Sequence, residues 1–184
     1  KVVLDHITNT RFETQCKYRD GHYDDNERTF VVFGLVEQYD TALFANVSDT
    51  QDPTHAQPRY VKTWLHNGVF GWDERRSKQY YQGDSLQPLL LAQFFEQPDA
   101  LDSEEFAQGY HCLAGKILRQ EIYAADFQGI PEDHPYQINQ TGYCIRRLQP
   151  KFPSSDSCFY GYQTESLSIA YEKNPGDPKI SHHL

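Results

Sequence analysis

From Arg11 to Arg19 the chain alternates without a break. Phe12, Thr14, Cys16 and Tyr18 share one parity, and Arg11, Glu13, Gln15, Lys17 and Arg19 share the other. A side-chain period of two belongs to an extended strand, so this stretch limits the fold more than any other. It predicts a strand whose first set is buried and whose second set is in water. The aromatic content agrees: 13 Tyr and 11 Phe with no Met suit a pleated surface that is apolar on one side and wet on the other. The 184 residues are enough for one core, and the whole of 1–184 reads as a single β-rich segment.

The same reasoning extends along the chain. Asp20 to Asn26 is polar, contains Gly21, and reads as a hairpin connection. Thr29–Tyr39 is apolar on both faces around Phe30-Val31-Val32-Phe33-Gly34-Leu35-Val36, which predicts a more central strand, with Gly34 marking a bulge or a close backbone approach. Residues 46–58 and 80–88 read as loops. Tyr60–His66, Ile117–Tyr123, Tyr143–Leu148, Cys158–Gln163 and Ser166–Glu172 are further strands. Leu89–Phe95 is a short helix or a strand, since periodicity does not separate the two. Ser103, followed by Glu104 and Glu105, is read as a helix cap, with Phe106, Tyr110 and Leu113 on one face and Gly115 ending the element. Asn174-Pro175-Gly176-Asp177-Pro178 is a turn. The fold class is therefore mainly β: antiparallel strands and hairpins forming part of a curved sheet or shell, with one or two short helices.

Charge and motif content remove several functions. The net charge of -9 and a pI near 5.3 repel phosphate backbones, which argues against nucleic acid. The longest apolar run, Leu89 to Phe95, falls far short of the ~20 residues that span a bilayer, so no direct membrane insertion is expected. Opening on Lys1 and Val2-Val3-Leu4 without initiator Met or leader-like run, the chain is expected to be a piece of a longer one. Cys16, Cys112, Cys144 and Cys158 form no Cys-x-x-Cys pair and read as free, mostly buried thiols. The sequons at Asn46 and Asn139 are short enough to arise by chance.

Four groups of residues invite chemistry. His22, Asp24, Asp25 and Glu27 are dense in ligand atoms but lack the order of a calcium loop, so they read as a solvated hairpin loop. His111-Cys112 are neighbours in sequence and point to different sides of any element, which disqualifies them as a nucleophile–base pair. His182-His183 reads as solvated. Trp64, Trp72, Tyr80 and Tyr81 offer an aromatic platform for a glycan or protein, against the plainer role of covering a sheet. No catalytic residue, cofactor site or metal site is expected, and no enzyme activity.

Five collinear stretches resemble a known family. Residues 18–40, running from Tyr18 through Gly21, Tyr23, Asp24, Glu27, Arg28, Phe30, Phe33 and Gly34 to Asp40, are similar to a block in B components of insecticidal Tc toxin complexes and related SpvB/Rhs-type proteins. Val61–Gly68, Leu118–Ala124, His134-Pro135-Tyr136 with Arg147–Pro150, and Glu165–His182 resemble further blocks in the same order. Val31-Val32 departs from the family, which usually has Arg-Gly there. The resemblance implies a segment from the middle region, before or at the start of the Rhs-repeat cocoon. It also implies a structural, non-catalytic role in a secreted toxin complex whose β-sheet shell encloses and delivers a cytotoxic effector. The implied partners are the remainder of the same polypeptide (propeller and Rhs repeats), a C component carrying the effector, and an A-component translocation channel. The competing readings are a free-standing recognition module that uses Trp64 and Trp72, and a hydrolase with scattered carboxylates.

Overall fold

The alternating stretch is the second strand of an open sheet. In the computed structural model the described residues are 1–6, 10–25, 27–44, 58–83, 93–126, 130–153, 155–171, 174 and 176–184. The strands are β1 (Val2–Asp5), β2 (Thr10–Asp24), β3 (Thr29–Phe44), β4 (Arg59–Leu65), β5 (Gln93–Phe95), β6 (Ile117–Ala124), β7 (Gln137–Gln149), β8 (Cys158–Ala170) and β9 (Lys179–His183). Two helices, α1 (Trp72–Ser77) and α2 (Ser103–His111), fall between β4 and β6. The order across the sheet is β1-β2-β3-β4-β6-β7-β8-β9. Every pairing on that path is antiparallel, while β5 lies parallel to Tyr143–Ile145 of β7, beyond the part of β7 that pairs with β6.

Most sequence expectations hold at the level of elements, with shifts that have physical causes. The first hairpin turns at Asp25–Arg28 rather than at Gly21, because β2 and β3 stay paired as far as Asp24 and Thr29. The two strands read at 158–163 and 166–172 are one strand, β8, which carries an irregularity near Glu165 instead of a break. The helix cap is Asp102, not Ser103. Its carboxylate accepts from the amides of Glu104 (2.9 Å) and Glu105 (2.8 Å), and the Glu105 side chain returns to the Asp102 amide. A carboxylate in that position satisfies two of the orphan donors of the first turn. Apart from Pro58, the loop read at 46–58 lies outside the described residues, as do all of 84–92, which hold the second half of the loop read at 80–88 and the start of the Leu89–Phe95 run.

The expected burial of β2 is wrong in a specific way. Cys16 and Tyr18 are exposed, as are Gln15, Lys17 and Arg19. Partners in antiparallel register share a face, and it is the charged parity of β2 that adjoins the core. One row runs Lys17, Glu37, Lys62, Glu121, Ile138, Ile169, Ile180 across seven strands, and the next runs Arg19, Leu35, Trp64, Arg119, Gln140, Leu167, His182. Long basic side chains can keep their charge in water while their stems lie over such a face. Lys17 does so above the Tyr39 ring at 5.1 Å. The opposite parity carries a polar ladder: Thr14 and Gln38 bond Asp40, Gln120 bonds Thr63, and Ser168 bonds Asn139.

Three apolar clusters hold the sheet. Leu35, Trp64 and Tyr80 form one, and Ile138, Leu167, Ile169 and Tyr171 form a second. Under α2, Phe95, Tyr110, Leu113, Leu118, Tyr143 and Ile145 form the third. The final β8 alternation is as read, with Leu167, Ile169 and Tyr171 buried. All four cysteines are free, but only Cys144 is buried and Cys16 and Cys158 are exposed, so the expectation of mostly buried thiols fails. Gly34 is the close approach that the sequence suggested: a Cβ there would lie 2.2 Å from Cζ2 of Trp72. Gly34→Ala should therefore lower the unfolding free energy by about 1–3 kcal/mol, since a close-packed ring cannot make room without strain. Urea unfolding followed by tryptophan fluorescence measures it.

Candidate functional site

The most organised chemistry among the described residues lies where two adjacent register rows cross the sheet centre. Their deepest members are Arg119 and Glu121 on β6, two residues apart and so on one face. Arg119 Nε lies 2.7 Å from Glu121 Oε1, and both side chains are essentially sealed from solvent. The same carboxylate accepts the Tyr123 hydroxyl at 2.7 Å and the backbone amide of Tyr81 at 2.8 Å. Above the guanidinium sits the Tyr80 ring, 4.7 Å from Cζ. The buried charge is thus paired and hydrogen-bonded, as burial requires.

An equivalent node spans three strands. Glu37 of β3 accepts the Tyr60 hydroxyl from β4 at 2.5 Å and faces Arg19 Nε of β2 at 2.7 Å. Between the two carboxylates stands Lys62, whose Nζ is 5.7 Å from the Tyr60 ring and 5.3 Å from the Tyr123 ring. Lys17, Glu37, Lys62 and Glu121 therefore alternate in sign along one register row. Burial, and the carboxylate beside each phenol, push the Tyr60 and Tyr123 hydroxyls well above the ordinary tyrosine range. Both phenols donate to their carboxylates, Tyr60 to Glu37 and Tyr123 to Glu121.

The row also fastens the segment that crosses the sheet. Trp72 Nε1 donates to the Leu65 carbonyl at 2.9 Å, and Tyr80 meets Trp64 edge-on at 5.0 Å. Arg76 stacks on Trp72 at 4.1 Å and pairs with Asp20. Of the proposed aromatic platform, Trp64 and Tyr80 are buried and Trp72 and Tyr81 half-buried. The rings cover the sheet, as the plainer reading expected. The other candidates scatter. Asp24 is buried and accepts the Glu27 amide, with His111 Nε2 at 3.9 Å. Burial raises the Cys112 thiol to about 11, which makes it a poor nucleophile beside His111. His182 pairs with Glu165 on the exposed β9 edge. Among the described residues no three His, Cys, Asp or Glu side chains come together as a metal site.

A second knot ties α2 to the β7–β8 turn. Glu105 accepts from the Ser157 hydroxyl at 2.5 Å, the amide of Lys151 at 3.2 Å and Arg147 Nη1 at 3.0 Å. Those bonds, that of Ser157 foremost, hold its carboxyl at about 2. Beside it a groove of about 250 Å³ is lined by Phe95, Glu96, Gln97, Leu101, Ile145, Arg146 and Arg147. Its arginines are already committed, Arg146 to Glu96 and Arg147 to Glu105. His66, fully buried, stacks on Tyr110 and accepts the Gly68 amide at Nδ1, and burial lowers its ring to about 4.

Comparison with known proteins gives this architecture a place. Residues 108–184 match the family described as insecticide toxin TcdB middle/C-terminal region. The crystal structure of TcdB2-TccC3 superposes on 98% of this chain and 9% of its own, with 26% identity and a TM-score of 0.81. The chain resembles a middle region of a Tc-toxin B component. The TcdB2-TccC3-Cdc42 structure matches with a TM-score of 0.80 at 26% identity, over 97% of this chain and 8% of that one. The Photorhabdus luminescens Tc holotoxin pore matches with 0.75 at 26% identity, over 96% and 8%. The chain thus spans about a tenth of the length of these solved chains. No curated protein sequence matches it. Among the described residues of this Tc-toxin-like segment, no helix is long and apolar enough to cross a membrane.

Sequence reading placed the residues of both nodes on strands and, Tyr60 apart, in family-like stretches, without joining them. The usable signal was there: Arg119, Glu121 and Tyr123 recur every second residue in a strand whose other members, Gln120 apart, are apolar, which places a polar stripe on one face. Breaking one half of this buried pair should cost more than replacing both. Arg119→Met alone should lose about 3–5 kcal/mol, because Glu121 stays charged and buried. Adding Glu121→Gln should recover at least about 1 kcal/mol of that, as a double-mutant cycle in urea would read.

Acid should weaken the fold through two groups of opposite kind. Glu105, depressed to about 2, contributes stability that is complete above the ordinary carboxylate range and lost as pH falls toward 2. His66 is neutral in the fold down to about 4, so the unfolded chain takes up its proton first and stability drops between about 6.5 and 4. Replacing His66 with Phe should flatten stability across that upper window, whereas Glu105→Gln should flatten only the lower one. Equilibrium unfolding at stepped pH separates them.

Proposed function

We propose that this chain is a structural, non-catalytic length of wall in a secreted Tc-type toxin complex. With the rest of its polypeptide and a C component it would build the β-sheet cocoon around a cytotoxic effector, which an A-component channel then delivers. The observation that carries the reading is the likeness to TcdB2-TccC3 over almost the whole chain. The physical chemistry is consistent with it. The central charges are locked into Arg–Glu–Tyr nodes with raised phenols and paired carboxylates, an arrangement that stiffens a sheet. One face of the sheet carries packed rings and the other a ladder of Thr, Gln, Asn and Ser, which suits a wall between a core and water. The recognition-module reading is weakened, because Trp64 is buried and Trp72, half-buried, is bonded to the Leu65 carbonyl.

The test uses the native full-length gene product co-expressed with a TccC3-type C component. Co-elution as one particle, with the C component's terminal polypeptide resisting protease until the particle is unfolded, is the expected result. Separate elution of the two proteins, or a terminal polypeptide digested as fast as in free C component, would sink the cocoon role.

A further inference from the structure

The tip of the β2–β3 hairpin carries a surface that the nodes do not use. Tyr18, Tyr23, Phe30 and Phe33 are 56%, 53%, 50% and 36% exposed. Three of them form a continuous chain of rings, Phe33 lying 5.0 Å from Tyr18 and 4.8 Å from Phe30. Gly21 is the floor of this patch. A Cβ there would come within 3.1 Å of Phe30 Cε2 and 3.4 Å of Phe33 Cε1, so the missing side chain lets both rings lie down on the strand. Contiguous exposed aromatics of this kind mark interaction surfaces. The nearby charges Arg19 and Asp20 are already tied to Glu37 and Arg76, which leaves an apolar contact as the available one.

We propose that this ring cluster is a packing seam for another, apolar β-segment of the same Tc-toxin polypeptide. The inference rests on the wall reading above and names where the wall continues out of plane. Two observations select that occupant. In the solved relative the equivalent of this chain is 9% of the polypeptide, so over nine-tenths of a chain lies beyond it. Four half-exposed rings also supply only roughly 400 Å², about half of what each partner of a stable complex between separate molecules buries. A contact within one chain does not bear the entropy of association and needs no such area.

Hydroxyl-radical footprinting of the native full-length gene product, read by mass spectrometry against its urea-unfolded form, decides the matter. Rings left as they stand here would be protected only about twofold. Protection of Tyr18, Tyr23, Phe30 and Phe33 by tenfold or more, unchanged on dilution, is the expected result. Protection near twofold overturns the seam. If electron microscopy of that sample still shows a hollow β particle, only the seam falls and the wall reading survives. If the product is instead a small monomer, both fall. Protection that disappears on dilution identifies a second copy as the occupant and likewise overturns the proposal.

Discussion

The sheet is organised around one buried pair, Arg119 with Glu121. An arginine and a glutamate without water are tolerable only when every charge is met, and each neighbour follows from that demand. Tyr123 supplies a hydroxyl, Tyr80 supplies a ring face, and the amide of Tyr81 closes the carboxylate shell. To reach those places the segment after α1 must cross the sheet, and Trp64 and Leu35 are buried beneath it as a result. A polar requirement at one point thus selects the positions of Tyr80 and Tyr81 and, through Tyr80, an apolar cluster.

The register rows spread this arrangement sideways. Lys17, Glu37, Lys62 and Glu121 alternate in sign across β2, β3, β4 and β6, so a slip of one strand by one residue would remove each charge from its partners and turn it to the other face. Charge pairs near a surface contribute little net stability, but a row of them penalises wrong registers, which hydrophobic contacts alone do weakly. An extended wall has many near-equivalent strand pairings, and this is where such specificity matters.

The two faces divide the labour. Aromatic rings and the nodes lie on one, and the Thr14–Asp40–Gln38, Thr63–Gln120 and Asn139–Ser168 contacts lie on the other. At one end α2 covers a third cluster and is anchored through Glu105 to the β7–β8 turn. The likeness to a middle region of Tc-toxin B components fits a sheet built this way, stiffened at its centre and open at β1 and β9.

Local pattern was enough for much of this. Alternation from Arg11 to Arg19 and from Ser166 to Glu172 determined strands, Ser103 with Glu104 and Glu105 signalled a helix start one residue late, Gly34 announced a close approach, and family-like stretches identified the relatives. These are properties of neighbours in the chain, and a period of two or a capping carboxylate acts over a few residues. What the sequence misassigned was the face of β2 that meets the core, because parity is visible locally but the covering element is not. The tertiary structure decided that by running the charged parity of β2 into line with Leu35 and Trp64. It likewise joined Glu37 to Tyr60 and Arg19, and Glu105 to Ser157, residues separated by 23 and 52 positions in the first and last of these pairs. Only strand order brings such groups together, and strand order depends on the summed burial of the whole sheet rather than on any one segment.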